Sequence, residues 1–201
     1  LGCYNLAKAC WKSGAVFVLP STDYVFSGES GKMYRESALP SARNLYGETK
    51  WLGEQLAVHN CPHTYICRTA WLYGRYGINF VNKILDLADD GKPLHVVQDQ
   101  VGCPTSTIEC LKMIHAVIHT GRFGIYHTVC TGSASRYEFA LEIKRLAKFD
   151  CPIYPADNPN HSCNTSLSNQ KIRDVTAYVP IDWREALKIY MGEIKNKNYF
   201  Q

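Results

Sequence analysis

Two side chains one helical turn apart, the phenol of Tyr46 and the ammonium of Lys50, follow 24 residues after Thr22, whose hydroxyl stands just beyond an apolar run. Residues four apart on a helix share a face, so Tyr46 and Lys50 can project into one cleft. A free phenol titrates near ~10, and a neighbouring ammonium favours its phenolate. Bringing a phenol towards neutrality takes roughly 3 units, about 4 kcal/mol, which one lysine seldom supplies alone. A cationic ring close by would add to it, and a threonine hydroxyl can hydrogen-bond an oxygen that gains negative charge. Together these groups suit protonation of a carbonyl oxygen while a hydride attacks its carbon.

The spacing by itself is weak. With 13 tyrosines and 13 lysines in 201 residues, chance placement gives roughly 0.8 such pairs. Tyr4 with Lys8 is a second pair, read as an ordinary amphipathic helix. Context favours Tyr46, because a strand ending in Ser21-Thr22-Asp23 precedes it.

A strand and a helix must hold these groups. Val16 to Leu19 is a continuous apolar run of the kind carried by a parallel strand buried on both faces. A helix is predicted from Leu45 to about Val58, with Leu45, Leu52 and Leu56 on its core face, and Tyr65 to Thr69 is the next strand. Upstream, residues 4–13 read as a helix with Leu6, Ala7, Ala9 and Cys10 on its stripe and Gly14 as its stop. Residues 27–43 read as a loop. Beyond Gly77, helices are predicted over Asn79 to Ala88, Ser106 to His119, Ser135 to Lys148 and Asp182 to Ile194. Strands are predicted over Leu94 to Val97 and Phe123 to Val129. Ser106 with Glu109, Ser135 with Glu138 and Asp182 with Glu185 have capping-box spacing, and residues 156–166 read as a mobile loop. Helices alternating with strands argue for an α/β fold.

A chain of 201 residues fits one domain or one and a half, and 46% hydrophobic with 20% charged residues is ordinary for a globular protein. The net charge of +4 comes without a block of like charge, so neither nucleic acid nor a membrane is expected as partner. No apolar run approaches the length of a membrane span. Nine cysteines, with no Cys-x-x-Cys pair, read as small buried hydrophobes of a reducing compartment, hence a cytoplasmic protein. The sequence opens on Leu1 directly into helical periodicity and reads as the C-terminal portion of a longer protein.

Six ordered blocks make the reading specific: Ser21-Thr22-Asp23-Tyr24-Val25-Phe26; Tyr46 with Lys50; Gly53-Glu54; Arg68 to Gly74; Gly77-x-Asn79-Phe80; and Asp99-Gln100-x-Gly102-x-Pro104-Thr105. They resemble the dTDP-4-dehydrorhamnose reductases, a family of extended short-chain dehydrogenase/reductases. The resemblance implies the C-terminal half of a Rossmann-type parallel sheet with a smaller α/β substrate-binding domain. Residues 1–76 would carry the catalytic groups and residues 77–201 would be mainly substrate-binding. It implies Tyr46 as proton donor to a 4-keto group, Lys50 as the residue that holds the nicotinamide ribose and tunes Tyr46, and Thr22 as the third catalytic residue. Pro20, with Tyr46 and Lys50, would touch the cofactor, NADPH or NADH. Thr22, Asp23, Tyr24 and Trp71 would touch a nucleotide-sugar substrate, and the product would be dTDP-L-rhamnose or a related deoxysugar nucleotide. A homodimer is compatible with the family, which can carry a Mg2+ ligand at its dimer interface near Glu109.

Plainer roles stand beside these. Trp71 could be core at a strand end, Asp23 a turn residue, and Glu109 the partner of a helix cap rather than a metal ligand. His115 and His119 have the spacing of a zinc pair but lack an adjoining Glu and a third ligand, which favours ordinary histidines. Two departures limit the resemblance. No Gly-x-Gly-x-x-Gly or Gly-x-x-Gly-x-x-Gly loop is present to bring a helix N-terminus to the cofactor pyrophosphate, so this chain alone is expected to turn over little. A half-sheet also leaves a strand edge open beside Val16 to Leu19. An Arg-Pro motif expected before a Ser-x-Leu run is poorly kept near His161 to Leu167, which leaves the sugar open. Two rivals remain: a non-catalytic regulatory or binding subunit on the same fold, and another extended reductase or epimerase of nucleotide sugars.

Overall fold

Residues 1–158 and 163–195 are described by a computed structural model. The helices are α1 (Gly2–Ser13), α2 (Leu45–Asn60), α3 (Phe80–Asp89), α4 (Thr107–Ile118), α5 (Arg136–Ala147), α6 (Gln170–Val175) and α7 (Trp183–Lys195). The strands are β1 (Phe17–Thr22), β2 (Thr64–Thr69), β3 (Leu72–Tyr73), β4 (Leu94–Val97), β5 (Gln100–Gly102), β6 (Thr105–Ser106), β7 (Gly124–His127), β8 (Ala134–Ser135), β9 (Ile153–Ala156) and β10 (Cys163–Asn164).

β1, β2 and β7 make a parallel sheet with β2 in the middle. Phe17 pairs with Thr64 and Thr22 with Thr69, so both strands end together at the site. All six residues of β2 are buried, as expected of a strand covered on both faces. On one face Phe17 and Leu19 pack with Ala7 of α1 and Ala57 of α2. On the other, Tyr65, Cys67 and Tyr126 pack with Met113 and Val117 of α4 and Ile172 of α6. β7, from well beyond residue 77, thus returns to the first sheet.

Burial on β1 alternates instead of running continuously: Phe17 and Leu19 are buried, Val18 is half-buried, and Val16 and Pro20 are exposed. The reason is position. Among the described residues β1 pairs with β2 alone, and an edge strand accommodates a proline that has no N–H to donate. The helix faces also differ from expectation. Leu45 and Leu52 point outward, and the inner face of α2 carries Gly47, Gly53, Glu54 and Ala57. α2 lies so close to α1 that a Cβ on Gly53 would stand 3.0 Å from the Cys3 sulfur, a spacing that needs small residues inside and sends the leucines out. On α1, similarly, Cys3, Ala7 and Cys10 face the core while Leu6 and Ala9 are exposed.

The remaining strands pair in short sets, β3 with β6 and β4 with β9 in parallel, and β5 between β10 and antiparallel β8. α3, α5 and α7 enclose a second core around Phe139 and Trp183. The capping box at Ser135 and Glu138 is complete, with bonds of 3.0 and 2.7 Å. At α4 only half of it forms: Ser106 accepts the Glu109 N–H, but the Glu109 carboxylate turns to the Tyr178 hydroxyl and the Ile181 N–H. Asp182 Oδ1 accepts the Arg184 N–H at the start of α7. Of the loop expected at 156–166, residues 159–162 lie outside the described residues, while Ala156 ends β9 and Cys163 begins β10. All nine cysteines are free, and burial pushes Cys67, Cys103 and Cys130 up to about 12, which keeps them thiols. Among the described residues no helix is long and apolar enough to cross a membrane.

Candidate active site

The site starts where β1 stops. Asp23 to Val25 turn as a single 3-10 coil, and Thr22 caps it by accepting the Tyr24 N–H at 3.2 Å. The Thr22 hydroxyl donates to Asp23 Oδ1 at 3.1 Å. α2 is then brought against this turn. Its N-cap, Asn44, accepts the Gly47 N–H at 2.8 Å. Gly47 itself lies so near the Tyr24 carbonyl that a Cβ would stand only 2.0 Å from the oxygen. That close approach delivers the neighbouring Tyr46, whose ring meets the Tyr24 ring edge-on at 6.0 Å. One turn on, Lys50 Nζ donates to the Pro20 carbonyl at 2.7 Å, tying α2 to β1.

Pro20, Thr22, Asp23, Tyr24, Tyr46, Lys50 and Trp71 all line one cleft of about 360 Å3. Tyr46 is 53% exposed, whereas Thr22 and Asp23 are buried on the floor. Burial raises Asp23 to about 6, against the lowering effect of hydrogen bonds from the Thr165 hydroxyl (2.6 Å) and from Thr22. Tyr24 is also held above the usual phenol range by burial and by the adjacent Asp23 charge. Trp71 takes an unusual backbone for a large residue, φ 45°. Its indole lies on Gly102, where a Cβ would be 2.4 Å from the ring. It therefore packs against its surroundings and lines the cleft at once.

Residues 1–196 match the family described as the RmlD substrate binding domain. This chain belongs to that family. Among curated relatives it is 34% identical over 198 residues to the spore coat polysaccharide biosynthesis protein SpsK of Bacillus subtilis, covering 96% of this chain and 70% of SpsK. It is 41% identical over 150 residues to a dTDP-4-keto-6-deoxy-D-glucose reductase of Streptomyces niveus, covering 74% of this chain and 52% of that protein. The crystal structure of dTDP-4-dehydrorhamnose reductase from Bacillus anthracis in complex with NADP superposes with a TM-score of 0.90 at 34% identity, covering 96% of this chain and 70% of that one. The chain thus spans between half and seven tenths of these proteins.

Three features of this RmlD-family cleft escaped the sequence reading. Beneath the floor, Glu54 of α2 takes two bonds from Arg68 of β2, at 3.0 and 2.6 Å, and one from Ser21 of β1, all buried. The motif blocks contain all three residues, and a glutamate on the inner face of a helix is the signal that could have paired it with a buried arginine. Thr165, far along the chain, bonds Asp23. Arg136, which the sequence reading did not single out, stacks 3.6 Å over the Trp71 ring and lines the cleft. Elsewhere, the Glu109 carboxylate is engaged by Tyr178, Ile181 and Lys112. The His119 ring donates Nδ1–H to the His115 carbonyl at 2.7 Å. Among the described residues no group of three or more His, Cys, Asp and Glu side chains could hold a metal ion.

Proposed function

We propose that this protein reduces the 4-keto group of a dTDP-4-dehydro-6-deoxy sugar, giving dTDP-L-rhamnose or a related deoxysugar nucleotide, with NADPH or NADH as reductant. One observation carries the reading: a threonine hydroxyl, an exposed phenol and an ammonium line one cleft at the ends of two parallel strands. Relatives named as reductases of such sugars, and a neighbour solved with NADP, support it.

Tyr46 donates its proton to the carbonyl oxygen as the carbon is reduced, and solvent returns a proton to the exposed phenolate. On binding, the Thr22 hydroxyl turns its one proton from Asp23 to the same oxygen, stabilising charge that develops there. An ammonium has three N–H donors, and Lys50 commits one to Pro20, so two remain for the vicinal hydroxyls of a ribose. That donor set fits the nicotinamide end of the cofactor, which when bound would supply the hydride and would carry a cationic ring only once the hydride is given up. Asp23, Tyr24 and Trp71 form the sugar side of the cleft. We assign residues 1–76 to the catalytic part and 77–201 mainly to substrate binding, in a cytoplasmic protein.

The test follows reduced-nicotinamide absorbance with a panel of 4-keto nucleotide sugars. It uses this chain alone and the chain joined to an N-terminal dinucleotide-binding half. Turnover confined to the joined form, with a dTDP sugar preferred, is expected. Binding of the sugars by both forms without any reduction contradicts the enzymatic reading and favours a binding subunit. Full activity of the 201-residue chain contradicts the role given to the glycine-rich loop.

A further inference from the structure

We infer that Arg136 anchors the diphosphate of the nucleotide sugar, and so sets the register in which the sugar reaches Tyr46. The inference rests on the nucleotide-sugar reading above and gives that substrate its anionic contact.

Arg136 opens α5 directly behind the complete Ser135–Glu138 capping box, which fixes the start of the helix and engages the Ser135 and Glu138 N–H groups. Its guanidinium lies 3.6 Å from the centre of the Trp71 ring and 4.9 Å from that of Phe80. Gly102 also packs against the indole, where a Cβ would stand 2.4 Å from the ring, so the tryptophan has little room to shift. The guanidinium is thus held at the cleft that Tyr46 and Lys50 also line.

Among the described residues its charge lacks a direct counter-ion: no carboxylate comes within 4.0 Å of its nitrogens. Asp23 is near enough to act through space, but its hydrogen bonds come from Thr22 and Thr165. The Tyr24 phenol takes a hydrogen bond from the guanidinium, which has five N–H donors in all. Burial also pulls the Arg136 pKa below the usual arginine value, the mark of a cation partly stripped of water. A planar, stacked fork with spare donors matches phosphate oxygens, and a nucleotide sugar brings two phosphates. The competing role is passive: Arg136 could merely press Trp71 onto Gly102.

Calorimetric titration of wild type, Arg136→Met and Arg136→Lys with dTDP and with thymidine separates these roles. Loss of dTDP affinity on the order of 10- to 100-fold in Arg136→Met is expected, with thymidine binding unchanged and Arg136→Lys intermediate. Equal dTDP affinity in wild type and Arg136→Met overturns the anchor and leaves the nucleotide-sugar reading standing. Parallel losses for dTDP and thymidine overturn it in favour of the passive role. A wild type that binds neither ligand removes the nucleotide-sugar reading and the anchor with it.

Discussion

Asp23 sits between two hydroxyls, Thr22 from its own strand end and Thr165 from 142 residues away. Both bonds stabilise the carboxylate, yet burial outweighs them and raises the group from 3.8 to about 6. The usual carboxylate linkage is therefore reversed. The folded state binds the proton more tightly than the unfolded chain, so this group's contribution to stability falls as pH rises from about 4 to about 6. Asp23→Asn keeps an acceptor in place and removes the charge. Its stability relative to wild type is expected to improve by about 2 kcal/mol between pH 4.5 and 7.5, read by urea denaturation at both. No change across that window contradicts the burial argument. At this scale the candidate groups were legible from their motif context rather than from spacing alone, and Thr22, Tyr46 and Lys50 line one cleft. Thr165 and Arg136 were not, because distant segments bring them to the cleft and no local pattern marks them.

Helix α2 places two of the three proposed reacting groups, and it does so through what its inner face lacks. Gly47 leaves room for the Tyr24 carbonyl, where any Cβ would collide with backbone rather than with a side chain that could swing away. Gly47→Ala gains helix propensity of about 1 kcal/mol but overpacks this contact at about 1–3 kcal/mol or more. A net fall in stability is expected, with kcat lowered because Tyr46 is the adjacent residue; a stabilised, fully active variant contradicts it. Glu54 ties the same helix to both strands. Glu54→Gln leaves Arg68 buried without its counter-charge and is expected to cost about 3–5 kcal/mol in chemical denaturation, with loss under 1 kcal/mol contradicting the account. Most element positions were readable from periodicity and caps, Leu94 to Val97 to the residue. The facing of α2 was not. Leu45 and Leu52 mark a helical period but are on the outside, Leu56 is half-buried, and glycine and alanine, which hydrophobic periodicity undervalues, are on the inside.

Across the whole molecule the cleft is a joint product. The ends of β1 and β2 supply its floor, in keeping with the rule that parallel α/β sheets bind ligands beyond the carboxyl ends of their strands. The later part of the chain supplies the backing of Trp71 by Gly102, the bond from Thr165 and the charge of Arg136. The α/β class was legible in alternating elements, but not the return of β7 to the first sheet, a pairing between segments remote in sequence. The central claim is that this shared cleft holds a carbonyl beside Tyr46. It is tested most directly by single-turnover reduction of a dTDP-4-dehydro-6-deoxy sugar by Tyr46→Phe and wild type, with dTDP affinity measured in parallel. A rate loss on the order of 100- to 10,000-fold with dTDP affinity unchanged is the predicted result. Reduction by Tyr46→Phe at close to the wild-type rate contradicts it.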